Sequence, residues 1–127
     1  MKINKIASKG FSLVEMLVVI AIIGVIAAIA VPQIADVTSS AETSKNKRNA
    51  KSLSSVCAAA QAAGLDFVNT LTDTGDVVDA IVNGSTVSGG AFNGKFFGVP
   101  SMSDTDKTAA EEYLSVADGV LRYDGKD

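Results

Sequence analysis

Few residues in this chain are of a type that does chemistry. It has no His, so no imidazole stands ready as a base or a metal ligand. Its one cysteine, Cys57, cannot close an intrachain disulfide, and no zinc-type spacing surrounds it. Cys57 shares helical spacing with Leu53 and Ala60, which suits a small buried hydrophobe. Glu111 and Glu112 are adjacent, so a helix would point them to different sides as solvated charges, not as an acid–base pair. Asp118, Asp124 and Asp127 offer the hard oxygens that calcium takes, but no calcium-loop spacing joins them. The serines fall in cap, turn and helix contexts. Neither an enzymatic activity nor a cofactor is expected, and calcium at those three aspartates is the one metal reading to carry forward.

One carboxylate does stand out. An apolar run extends from Phe11 to Val31, and Glu15 is its single charge; no residue from Met16 to Ala35 is charged. A carboxylate held in lipid costs on the order of 2.5–3.5 kcal/mol and usually marks function. The run is too long for the apolar stretch of a cleaved secretory signal, about 7–15 residues. It suits a transmembrane helix, which needs about 20, yet a plain anchor gives no reason for Glu15. Phe11 and Glu15 are spaced i, i+4 and would share one face of a helix. Gly24 and Pro32 weaken that helix at two points, Pro32 by removing a donor and crowding the carbonyl of Ala28.

The segment Gly10-Phe11-Ser12-Leu13-Val14-Glu15, preceded by Lys2, Lys5 and Lys9 and followed by MLVVIAIIGVIAAIAVPQ, resembles the start of type IV pilins and type II secretion pseudopilins. The resemblance spans about Lys9 to Gln33. It implies cleavage by a prepilin peptidase between Gly10 and Phe11, with N-methylation of Phe11. It also implies that Glu15 pairs with the new α-amine of a neighbouring subunit during filament growth; pairing with its own amine is the simpler alternative. Gly24 and Pro32 match positions where the helix either kinks or unwinds in the filament, and the residues alone leave both open. The lysines ahead of the run favour a cytoplasmic N-terminus, but Lys45, Lys47, Arg48 and Lys51 blur the count. The resemblance implies leader inside and body outside.

Beyond the apolar run, 33–63 lacks Pro and Gly and is dominated by Ala and Ser, with Lys, Gln and Glu among the rest. Ile34, Val37, Ala41, Ala50, Leu53, Val56, Cys57, Ala60 and Ala63 recur at helical spacing, and Gly64 is a C-cap. Together with the apolar run this predicts one helix of about 54 residues, roughly 80 Å if straight. In 65–127 the pattern predicts a helix over Gly75–Val82 capped by Thr74 or Asp73. It predicts a strand over Lys95–Val99 after an Asn93-Gly94 turn. A second helix follows from Ser103-Asp104 to about Glu112, and then a hairpin pairing Tyr113–Val116 with Val120–Tyr123. The fold class is α+β: a long N-terminal helix, transmembrane then amphipathic, packed against a small antiparallel sheet head with short helices. The expected division is leader 1–10, transmembrane or filament-core helix 11–33, amphipathic half 34–64 and head 65–127.

The body after the leader is acidic, which argues against nucleic acid as the main partner. Lys45, Lys47, Arg48 and Lys51 read as a solvated face, or as partners for acids such as Asp36 and Glu42 on neighbouring subunits; contact with DNA phosphates is the sharper alternative. Five Phe and two Tyr give little material for an electron-conducting stack. The resemblance implies a bacterial inner-membrane protein, single-pass, embedded in lipid before assembly and later part of an extracellular or periplasmic filament. It would be made of one or several pilins, with an assembly platform and a motor ATPase acting indirectly. The competing class is a monomeric membrane-anchored binding module whose head recognises a ligand.

Overall fold

The computed structural model describes residues 10–69 and 71–125. The chain forms two compact units, one ending at Ser40 and one beginning at Ala41. Helix α1, Leu13–Ala62, contributes to both and is assigned without a break through Gly24 and Pro32.

In the first unit α1 packs on nothing among the described residues. Leu17, Ile20, Ile23, Ile26, Ile29 and Val31 are all about half exposed or more, and no residue of the helix is buried before Ala50. Ile34 and Val37, which continue the apolar spacing, are exposed as well, and so is Ala41. The segment is long and apolar enough to cross a membrane.

In the second unit the same helix becomes one wall of a core. Ala50, Leu53, Cys57 and Ala60 are fully buried at spacings of three and four, one stripe of the helix. The helix stops at Gly64, whose φ of 92° only glycine adopts freely. The Gly64 amide donates to Gln61 O at 3.0 Å and the Leu65 amide to Ala60 O at 2.9 Å, the paired bonds of a Schellman end.

Helix α2, Thr74–Asn83, starts at Asp73, whose carboxylate accepts from the Gly75 and Asp76 amides at 3.0 and 3.4 Å. It buries Val77, Val78, Ile81 and Val82. Helix α3, Asp104–Glu111, starts at Ser103, whose hydroxyl accepts from the Asp106 amide at 3.3 Å. Strands β1 (Ser85–Thr86) and β2 (Phe96–Phe97) pair antiparallel, Ser85 opposite Phe97. Strands β3 (Leu114–Ala117) and β4 (Val120–Tyr123) pair antiparallel, Leu114 opposite Tyr123. Asp118 and Gly119, with φ of 55° and 72°, join β3 to β4 in the conformation of a type I′ turn.

The expected single small sheet is therefore two separate two-stranded sheets. The strand expected over Lys95–Val99 shrinks to Phe96–Phe97 for a steric reason. A Cβ at Gly98 would lie 2.6 Å from Gly84 Cα and 3.0 Å from Ile81 O, so the chain here presses against the end of α2 and no further strand pairs with it. A Cβ at Gly84 would in turn lie 2.2 Å from the ring of Phe96.

Side chains of α1 hold the β3–β4 hairpin. Ser54 Oγ donates to Leu121 O at 3.0 Å, and Gln61 Nε2 donates to Gly119 O at 2.7 Å. Lys51 Nζ sits 5.0 Å from the centre of the Tyr123 ring, and Lys45 Nζ reaches Asp106 Oδ1 at 2.7 Å. Lys107 Nζ joins α3 to α2, 2.8 Å from Asp104 and 2.6 Å from Asp79, and these carboxylates hold its ammonium above the usual lysine range.

Glu111 corrects one expectation. It is partly buried instead of solvated, while Glu112 is exposed. Burial pushes its carboxyl above the usual range, and the charges of Asp79 and Asp73 push it further. A carboxyl whose pKa rises on folding opposes folding when ionised. Asp66, Asp104 and Asp106 shift downward, through the Val68 amide, Lys107 and Lys45 respectively. Their stabilisation is complete above the unfolded carboxylate pKa and is lost as pH falls through the lower folded value. Glu111→Gln is thus expected to raise the unfolding midpoint at pH 7, and the gain should vanish by about pH 4. Thermal unfolding of the detergent-solubilised chain across that pH range measures it.

Candidate functional site

The residues singled out around Gly10 and Glu15 come together at the start of α1. Ser12 lies just outside the helix, and its carbonyl accepts from the Met16 amide at 3.2 Å. Its hydroxyl accepts from the Val14 amide at 3.3 Å. Glu15 Oε2 accepts from the Ser12 amide at 2.8 Å. The two side chains thus satisfy each other's orphan donors, the reciprocal pattern of a capping box. Sequence reasoning missed this role, although Ser-x-x-Glu ahead of an apolar run is its signature.

The cap has two consequences for the residues beside it. It starts the helix at Leu13, so Gly10 and Phe11 lie outside it, exposed, with Phe11 at 80%. It also commits one oxygen of Glu15, while Oε1 makes no hydrogen bond among the described residues. Phe11 and Glu15 line one shallow apolar concavity with Val14, Met16, Val18 and Val19.

The glycines are informative by what they do not touch. A Cβ at Gly10 or Gly24 would meet nothing within 4 Å, and neither has a positive φ. A glycine inside a helix costs roughly 0.5–1 kcal/mol relative to alanine. The isolated chain makes no demand for glycine at either place.

The other candidates are dispersed. The β3–β4 hairpin puts Asp118 at its turn and Asp124 at its open end, four paired residues apart. Asp118 faces Arg122 at 3.8 Å, and Asp124 accepts from the Ser115 hydroxyl. Asp127 lies outside the described residues, as do residues 1–9 of the expected leader. Among the described residues no three His, Cys, Asp or Glu side chains gather as a metal site. Cys57 is fully buried, and burial pushes its thiol above the usual range. Of the basic cluster, Lys45 and Lys51 are engaged with the head, and Arg48 is exposed.

Residues 6–31 match the family described as the prokaryotic N-terminal methylation motif. The match spans Lys9, the Gly10–Phe11 bond, the capping box and Gly24. No curated protein and no solved structure matches the chain. The N-terminal segment is therefore of the type IV pilin and pseudopilin kind, the kind that prepilin peptidases process. It is a short part of the chain, and it characterises the segment and not the head.

Ser12→Ala removes the hydroxyl cap and is expected to cost about 1 kcal/mol at the helix start. Glu15→Gln keeps the reciprocal geometry, since a glutamine serves the same role. Amide hydrogen exchange at Val14 to Met16 in micelles should therefore speed up in the first variant and hold in the second.

Proposed function

We propose that the chain is the precursor of a filament subunit. A prepilin peptidase cuts between Gly10 and Phe11 and methylates the new amine of Phe11. The leader, 1–10, is discarded. The subunit waits in the inner membrane with its head outside the cytoplasm, and an assembly platform driven indirectly by a motor ATPase moves it into a pilus or pseudopilus of one or several pilins. It performs no catalysis. Calcium remains a proposal for Asp118, Asp124 and Asp127 only through backbone or neighbouring-subunit oxygens, because the hairpin separates the first two.

The single observation that carries this reading is the surface of α1 inside the matched motif. It bears a row of exposed aliphatic side chains with one carboxylate at its start. Fully burying one such side chain is worth about 1.5–3 kcal/mol, so this surface calls for lipid or for copies of itself. Cutting at Gly10 would place a cation on Phe11, and an ammonium beside lipid needs a carboxylate partner. Glu15 has one oxygen spent on its own helix and one that makes no hydrogen bond among the described residues. That arrangement favours a shared role, capping its own helix while receiving the amine of a neighbour. Gly24 and Pro32 then act as the places where the helix adapts to the packed filament.

Glu15→Ala separates this reading from a monomeric anchored binding module, which would be indifferent to the residue. The variant should still lose its leader, remain in the membrane fraction and yield no sedimentable filaments. Filaments of normal abundance from Glu15→Ala would contradict the proposal.

A further inference from the structure

Two Asn-Gly pairs occur in the head, Asn83-Gly84 and Asn93-Gly94. This dipeptide is chemically labile because glycine leaves the following amide nitrogen unhindered. In the reaction the glycine nitrogen gives its proton to solvent base and attacks Cγ of the asparagine. A carbon–nitrogen bond forms and ammonia leaves, giving a five-membered succinimide. Water then opens the ring at either carbonyl, leaving aspartate or isoaspartate; no oxidant or other reactant is needed. Both pairs share the reacting residues, so any difference between them in the folded chain comes from the fold.

In both, the attacking nitrogen is already occupied. The Gly84 amide donates to Ala80 O at 2.9 Å, and the Gly94 amide donates to Val87 O at 2.9 Å. Asn93 is further restrained, since its Oδ1 accepts from the Gly89 amide at 2.9 Å. Reaction at either site therefore requires the local structure to open first.

The two openings differ greatly in what they disrupt. Freeing the Gly84 amide unwinds the last turn of α2, which carries Ile81 and Val82, at 0% and 8% exposure. It also lifts Gly84 from beneath the Phe96 ring. Freeing the Gly94 amide breaks its bond to Val87, a single residue at 4% exposure, at the end of the loop between β1 and β2. Positions 88–96 are exposed throughout, and the strands beside them are two residues long. Local opening is least costly where few apolar contacts are lost and the hydrogen bonds face water.

We propose that Asn93 is a site of spontaneous covalent modification in the folded chain, and that α2 protects the chemically equivalent Asn83. Conversion places a new negative charge two residues from Lys95 on an exposed loop of the head. The fraction converted would record the age of the folded chain and the opening of this loop. The inference stands on the head alone and does not depend on the proposed filament role.

The test is peptide mapping by mass spectrometry of the full chain in detergent micelles, incubated at mildly alkaline pH, with a parallel sample in denaturant. In denaturant the Asn83 and Asn93 peptides should convert at about equal rates. In the folded sample Asn93 should convert several-fold faster than Asn83, yet more slowly than it does in denaturant. Equal rates in the folded sample, or a faster Asn83, would overturn the proposal.

Discussion

Everything else in this molecule depends on the uncovered apolar surface at the start of α1. From Leu13 to Val37 the helix presents Leu, Ile and Val side chains that are exposed among the described residues. At about 1.5–3 kcal/mol per side chain, leaving such a row in water is untenable for a protein whose net stability is of the order of 5–15 kcal/mol. The surroundings must supply the missing contacts. Helical backbone is also the state that satisfies its own polar groups in a solvent without hydrogen bonds. The same surface therefore suits lipid and suits a bundle of identical helices.

The second half of α1 turns that liability into an economy. A head of this size makes little core by itself, and it has no disulfide to help. Ala50, Leu53, Cys57 and Ala60 give α2, α3 and the β3–β4 hairpin a preformed wall to pack on. Small residues at Ala50, Cys57 and Ala60 allow close approach, while Leu53 fills the space between. Polar residues on the flanks of the stripe fix position instead of adding apolar area. Ser54 and Gln61 each reach a backbone carbonyl of the hairpin, and Lys45 reaches α3.

Much of this was legible in the sequence where a local rule and the tertiary packing agree. Asp73 and Ser103 cap the helices that their chemistry announces, Gly64 ends α1, and Asp118-Gly119 makes the turn its residue types demand. Elsewhere the decisive contact is distant. Strand β1 is two polar residues with no alternation to detect, and it exists because Phe96 and Phe97 come to lie beside it. Strand β2 stops early because Gly98 meets Gly84 and Ile81, which no local pattern encodes. Glu111 has the sequence context of a surface charge, but the fold partly buries it and places Asp79 and Asp73 near it. Ile34 and Val37 continue the apolar periodicity of α1 but not its burial, since periodicity tells that a face is apolar and not what covers it. At the candidate site, Glu15 stands out in the sequence by its charge, whereas its pairing with the Ser12 cap three residues before it shows in the fold.

The central claim is that this helix belongs to a processed subunit. Its most direct test is mass spectrometry of the N-terminal peptide of the protein isolated from cells that make it. The account predicts a chain beginning at Phe11 and carrying one methyl group on its α-amine. A mature protein in which residues 1–10 are still joined to Phe11 would contradict it.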